Sequence, residues 1–179
     1  RSGSYPWTNH ILPFYPGLYG AGIVAGLGEG VTEFEPGQWV YVEHPVGCGC
    51  YAEYKTAPLR FVTAIPEGTD PQLAAIATSS LIVWGMLTEC FPQAQGKTLY
   101  IQGAAGSIGT AVCQIGPLLG LRIIASASTE EKCSYLRSIS SAEVFCYTAA
   151  NVKDTVLSLT GGKGADIIMD QSIGDGLIP

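Results

Sequence analysis

The chain has 179 residues, 47% hydrophobic and only 13% charged. That suits one domain or two small ones with ample core, and it excludes a disordered chain. A net charge of −6 with no run of Lys or Arg argues against nucleic acid as a partner, and no apolar run is long enough to cross a bilayer.

Residues 1–70 are rich in Gly, Pro and aromatics. Short β-like runs at Ala21–Ala25, Gln38–Val42 and Cys50–Lys55 are separated by turn signals at Glu29-Gly30, Glu35-Pro36-Gly37 and Pro66-Glu67-Gly68. This is the texture of a small, mostly antiparallel β domain. The glycine-rich run Gly20–Gly30 opens no amphipathic helix and reads as a strand and tight turn. Thr69 or Asp70 can cap a helix with Pro71 at its first position, and helical segments near 71–77 and 80–90 then link the β region to the second half of the chain.

From residue 97 the rhythm becomes β-α-β-α-β. Strands are expected at Thr98–Gln102, Arg122–Ser126, Glu143–Phe145 and Ala165–Met169. Helices are expected at Ser107–Leu119, from Thr129-Glu130-Glu131-Lys132, and near Val152–Thr160. Short apolar strands alternating with helices imply a parallel sheet. Pro117 is expected to end or kink its helix near Gly116.

The strand Leu99–Gln102 runs into Gly103-Ala104-Ala105-Gly106-Ser107-Ile108-Gly109 and then a helix. Small residues let a backbone approach a pyrophosphate, and the helix points free N–H groups and its positive dipole end at it. Gly103-x-x-Gly106-x-x-Gly109 is looser than G-x-G-x-x-G, so the signal is weak alone. The second strand ends without the Asp or Glu that would accept from a ribose 2′-OH. Ser126, Ser128 and Thr129 stand there instead, with Lys132 at the start of the next helix. Hydroxyls and a cation suit a 2′-phosphate.

The six cysteines form neither a redox C-x-x-C nor paired zinc knuckles, and read as free thiols in a reducing cytoplasm. No nucleophile–base pair or metal cluster stands out. His10 and His44 read as surface residues. The opening Arg1-Ser2-Gly3 is neither a start Met nor a signal peptide, which leads us to expect a fragment.

Several segments occur together in one order and spacing. They are Arg1-Ser2-Gly3-x-Tyr5-Pro6, Pro13 to Pro16-Gly17, Gly22-x-Val24, Gly28-Glu29-Gly30-Val31-Thr32-x-Phe34, Gly49-x-Tyr51-x-Glu53-Tyr54 and Gly103-Ala104-Ala105-Gly106-x-Ile108-Gly109. Across essentially its whole length the chain resembles the quinone oxidoreductase (ζ-crystallin-like) branch of the zinc-independent medium-chain dehydrogenase/reductases.

The resemblance implies an α/β chain truncated at both ends: an incomplete GroES-like catalytic domain over 1–90, then an incomplete Rossmann domain over 91–179. It implies NADPH as cofactor, a quinone or enone substrate reduced by hydride transfer, and a homodimer through the Rossmann domains. Ala104, Gly106, Ser107, Ile108 and Gly109 fall on the pyrophosphate turn, and Ser126, Ser128, Lys132 and Tyr147 on the 2′-phosphate side. Lys132 also reads as a solvated helix charge and Tyr147 as a packing residue. Tyr5 matches a tyrosine lining the family's substrate cleft; its other reading is an aromatic packing residue. No metal ligand set is expected.

The chain departs from the family at Ser79-Ser80-Leu81-Ile82, where Lys-Gly-x-Thr is usual, at Ser107, where Gly is common, and at Ile139-Ser140-Ser141 in place of Leu-Gly-Ala. Two other functions therefore stay open: an enoyl-thioester reductase, and a catalytically silent relative that binds NADPH.

Overall fold

A computed structural model describes residues 15–43, 49–75 and 77–171. The described residues form two compact units that divide between Thr78 and Ser79. Tyr5, His10, His44, Cys48 and Ser172–Gly174 lie outside them.

The first unit holds a three-stranded antiparallel sheet in the order β1-β2-β3. Its strands are β1 (Tyr19–Ile23), β2 (Trp39–Glu43) and β3 (Val62–Ala64). The central strand carries the β-branched and aromatic side chains that suit a pleated, half-buried surface, and Val40 and Tyr41 are buried. Gly20–Gly30 holds β1 and then a turn at Gly30, where φ is +76°, with no helix after it, in line with the expected strand and turn. Helix α1 (Pro71–Ala75) starts with Pro71, and the Asp70 carboxylate accepts from the Gln72 N–H at 2.8 Å.

The expected strand at Cys50–Lys55 does not form. The Cys50 and Tyr51 N–H groups donate to the Gly17 and Pro16 carbonyls, and the chain then bends through Tyr51–Glu53. Tyr51 and Tyr54 are both exposed. Alternation yields a strand only where one face has something to cover it.

The second unit is a four-stranded sheet of parallel strands in the order β6-β5-β4-β7. The strands are β4 (Thr98–Gln102), β5 (Arg122–Ala127), β6 (Glu143–Cys146) and β7 (Ile167–Asp170). Helix α2 (Thr78–Gly85) continues as a π-helical stretch, Met86–Cys90. Sequence reading ends the first domain at residue 90, whereas Val83 and Leu87 are buried in the same core as Leu99, Ile101 and Ile123.

Alternation along the strands sorts side chains between two layers. Leu99, Ile101, Ala125 and Ala127 meet α3 (Ser107–Leu118) and α4 (Glu130–Ile139). Tyr100 and Ile124 meet Val156 of α5 (Val152–Leu159).

Helix α3 runs through Pro117 to Leu118, two residues past the expected break. A proline in the last turn forgoes a single intrahelical hydrogen bond. The end is then closed by a Schellman arrangement: Leu121 N–H donates to the Gly116 carbonyl and Gly120 N–H to that of Pro117, with Gly120 at φ +79°.

Candidate functional site: a glycine turn and a lysine–serine pair at the strand ends

In the strand order β6-β5-β4-β7, the chain winds outward from β4 in both directions. The carboxyl ends of β4 and β7 therefore flank the topological switch point where open α/β sheets take ligands.

After Gln102 the backbone turns at Gly103, where φ is +67°. A Cβ at Gly103 would lie 3.7 Å from the Gln171 Cβ, which sets the turn against the residue just past β7. Ala104 is fully buried and its N–H donates to the Ser126 carbonyl at 2.9 Å. Gly106 is exposed and extended, and begins α3. Its N–H donates to the Gly103 carbonyl at 3.3 Å. Gly109 is buried, and a Cβ there would overlap the backbone of Ala104. Glycine at 109 is what lets the helix press against the turn.

No side chain caps the start of α3, whereas Thr129 caps α4 and Asn151 caps α5. First-turn amides lack intrahelical acceptors, so Ser107, Ile108 and Gly109 offer donors at the positive end of the helix. Ser107 is exposed and Ile108 half-buried against the core.

A second group lies where β5 and β6 end. Tyr147 N–H donates to the Ala127 carbonyl at 3.0 Å, continuing the pairing of those strands. The Lys132 ammonium, on the exposed first turn of α4, donates to Ser128 Oγ at 3.3 Å. Ser128, Lys132 and Tyr147 are thus gathered around the end of β5, with a cation and a hydroxyl directed to one place. The turn fits a dinucleotide: Gly106 is exposed, Ser107, Ile108 and Gly109 carry first-turn donor amides, and β5 ends in Ser126-Ala127 without the carboxylate that would meet a ribose 2′-OH.

Ser126 departs from expectation. It is fully buried, and its hydroxyl lies 2.8 Å from Tyr100 Oη, so it is unavailable to a ligand in the cleft. Position 126 falls on the sheet face opposite Ala125 and Ala127, turned toward α5.

The sequence reading also passed over Thr148. Its hydroxyl donates to the Ser128 carbonyl at 3.0 Å and lies 3.1 Å from Cys146 Sγ. That contact holds the Cys146 thiol below its ordinary pKa, while burial pushes the Cys133 thiol up. Thr148 stands within two residues of Cys146 and Tyr147, and only the tertiary fold brings it to Ser128. Among the described residues no group of three or more His, Cys, Asp or Glu side chains is placed to hold a metal. At the start of α2, Ser79 is half-buried and Ile82 is 46% exposed.

Comparison with known proteins agrees with this architecture. A family model for the alcohol dehydrogenase GroES-like domain matches residues 1–67, and one for zinc-binding dehydrogenases matches residues 107–177. The quinone oxidoreductase of Homo sapiens is 33% identical over 171 residues, which is 95% of this chain and 51% of the relative. The structure of a Pseudomonas syringae quinone oxidoreductase superposes with a TM-score of 0.80 at 27% identity, over 90% of this chain and 50% of that one. A mycobacterial protein solved as its NADPH complex superposes with a TM-score of 0.79 at 30% identity, over 94% of this chain and 52% of that one. The chain spans about half the length of these relatives. With these two matched domain models, a shared fold and this identity along nearly its whole length, the chain carries the GroES-like and Rossmann domains of a medium-chain dehydrogenase/reductase and is similar to the quinone oxidoreductases among them.

Proposed function

We propose that the protein containing this chain is an NADPH-dependent quinone oxidoreductase or alkene reductase. The observation that carries the reading is the uncapped start of α3 beneath Gly106, together with Lys132 and Ser128 at the end of β5. The amides of Ser107, Ile108 and Gly109 take the pyrophosphate, Ala104 lies packed beneath it, and Lys132, Ser128 and Tyr147 hold the 2′-phosphate. Bound NADPH supplies the hydride, so the chain's own residues need only bind, orient and exclude water. Tyr5, in this reading, lines the substrate cleft and donates a hydrogen bond to a quinone or enone carbonyl. Family resemblance also supports a homodimer formed through the Rossmann domains in the cytoplasm, which sedimentation of the full-length protein tests.

Fluorescence titration of the full-length protein with NADPH and NADH tests the cofactor assignment. NADPH binds more tightly, and Lys132→Ala weakens NADPH roughly tenfold, the scale of one charge-assisted hydrogen bond, while leaving NADH unchanged. Equal loss for both cofactors removes Lys132 from the 2′-phosphate site. Oxidation of NADPH with a panel of quinones and enones then tests the reaction.

Ser79 and the exposed Ile82 support a second reading, a relative that binds NADPH without turnover. Ile82 can neither donate nor accept a hydrogen bond where the family carries Thr. That reading predicts tight binding, no turnover with quinones, enones or enoyl-thioesters, and a gain of activity when Lys and Thr are restored at 79 and 82.

A further inference from the structure

Strand β4 buries the aliphatic Leu99 and Ile101 on one face and Tyr100 and Gln102 on the other. That side chain is 2% exposed, stacks on Phe145 with ring centroids 6.2 Å apart, and packs with Ile124 and Val156. Leu or Phe would fill such a place without burying a hydroxyl. A buried hydroxyl is costly unless paired, and this one is paired. Tyr100 Oη lies 2.8 Å from Ser126 Oγ and donates to Gln102 Oε1 at 3.4 Å.

Both partners lead to the glycine turn. Gln102 is the residue before Gly103, and the Ser126 carbonyl takes the Ala104 N–H at 2.9 Å. Tyr100, Gln102 and Ser126 are each no more than 7% exposed, at the level where β4 and β5 end. A hydrogen-bonded pair with fixed geometry specifies the relative height of two strand ends more narrowly than aliphatic packing does.

We propose that the buried hydroxyl pair of Tyr100 and Ser126 positions the Gly103–Gly109 turn for a dinucleotide pyrophosphate. Tyr100 is a positioning residue: it acts on the ligand through Ser126 and Gln102 and touches none of it. The inference rests on the proposed cofactor site and adds to it a determinant of affinity that is indifferent to the 2′-phosphate. The pyrophosphate is common to NADPH and NADH, so disturbing the turn weakens both by one factor, whereas Lys132 acts on NADPH alone.

The test titrates NADPH and NADH into the full-length wild-type protein and its Tyr100→Phe, Ser126→Ala and doubly substituted variants. Each single change is expected to weaken both cofactors about three- to tenfold, the worth of one buried hydrogen bond. The double variant is expected to lose no more than the worse single variant, because the two hydroxyls act as one unit. In turnover the KM for cofactor rises while kcat at saturating cofactor holds. A role in stability alone predicts a lower melting temperature with cofactor affinities unchanged, and that outcome overturns the proposal. So does a loss confined to NADPH. Should Tyr100→Phe fail to fold, Ser126→Thr and Ser126→Ala decide: the first keeps the hydroxyl and retains binding, the second loses it, and equal behaviour of the two overturns the proposal. If the wild-type protein binds neither cofactor, the cofactor reading itself fails and takes this inference with it, an outcome distinct from tight wild-type binding that the variants leave untouched.

Discussion

A Cβ at Gly109 would overlap the backbone of Ala104, and backbone cannot step aside as a flexible side chain can. Gly109→Ala is therefore expected to destabilise the second unit by about 1–3 kcal/mol, the usual cost of overpacking, and to abolish cofactor binding. Thermal melting with and without NADPH checks both, and a variant with wild-type melting and affinity refutes the close approach. The cysteines offer a second check at this scale. The Thr148 hydroxyl lowers the Cys146 pKa, whereas burial pushes the Cys113 thiol up to about 11. Since the thiolate is the nucleophile, alkylation of the folded protein should reach Cys146 at lower pH than Cys133 or Cys113. Mass spectrometry after iodoacetamide treatment across a pH series reads the order directly. The place of Lys132 on the first turn of a helix was legible in the sequence because a helix start is a local signal, whereas Tyr147 was singled out only by the family resemblance. Ser126 was not: its hydroxyl is claimed by Tyr100, 26 residues away on the neighbouring strand.

Among the elements, capping decided which helix starts are closed. Thr129 Oγ1 accepts from the Lys132 N–H at 3.3 Å, satisfying one of the first-turn amides of α4. Replacing it with alanine should cost about 1 kcal/mol and fray the turn that presents the Lys132 ammonium, so NADPH affinity should fall along with stability. Denaturant melts paired with NADPH titration test this; unchanged stability sinks the capping role. At the other end of α3, Gly120 takes φ +79° and a Cβ there would approach Gln95 Cγ to 3.0 Å. Gly120→Ala should destabilise by at least about 1 kcal/mol, and a denaturant midpoint equal to wild type would contradict it. Most elements of the second unit were legible because apolar runs of strand length alternate with capped helical segments. Pro117 misled because its cost depends on its place in the helix: in the last turn it removes one hydrogen bond, and the Gly120 closure satisfies the carbonyls at the helix end. Cys50–Lys55 misled because alternation does not reveal whether a neighbouring strand exists.

For the molecule as a whole, the two units respond to different conditions. In the first, Tyr41 is pushed up to about 12, chiefly by burial, and its hydroxyl contacts Thr78 and Glu43. An unfolded tyrosine releases its proton near pH 10. The stability tied to the neutral phenol is therefore complete below about pH 10 and is lost as pH climbs toward about 12. Tyr41→Phe should flatten that part of the stability–pH curve, and an unchanged curve would remove Tyr41 as its cause. The second unit holds the proposed cofactor site. NADPH at a hundred times its Kd should add about 2.7 kcal/mol to its stability by mass action, and a melting temperature indifferent to NADPH would count against the site.

Sequence alone determined the order of elements in the second unit, the parallel character of its sheet, the glycine turn and the lack of a carboxylate where β5 ends. These rest on short-range facts: hydrophobic period, caps, and residues allowed at positive φ. Tertiary structure alone decided three other things. It turned Ser126 toward α5, joined Thr148 to Ser128, and paired the Tyr100 hydroxyl with that of Ser126. The physical reason is that a buried polar group must find a partner, and that partner is chosen by which strands lie side by side rather than by which residues adjoin in the chain.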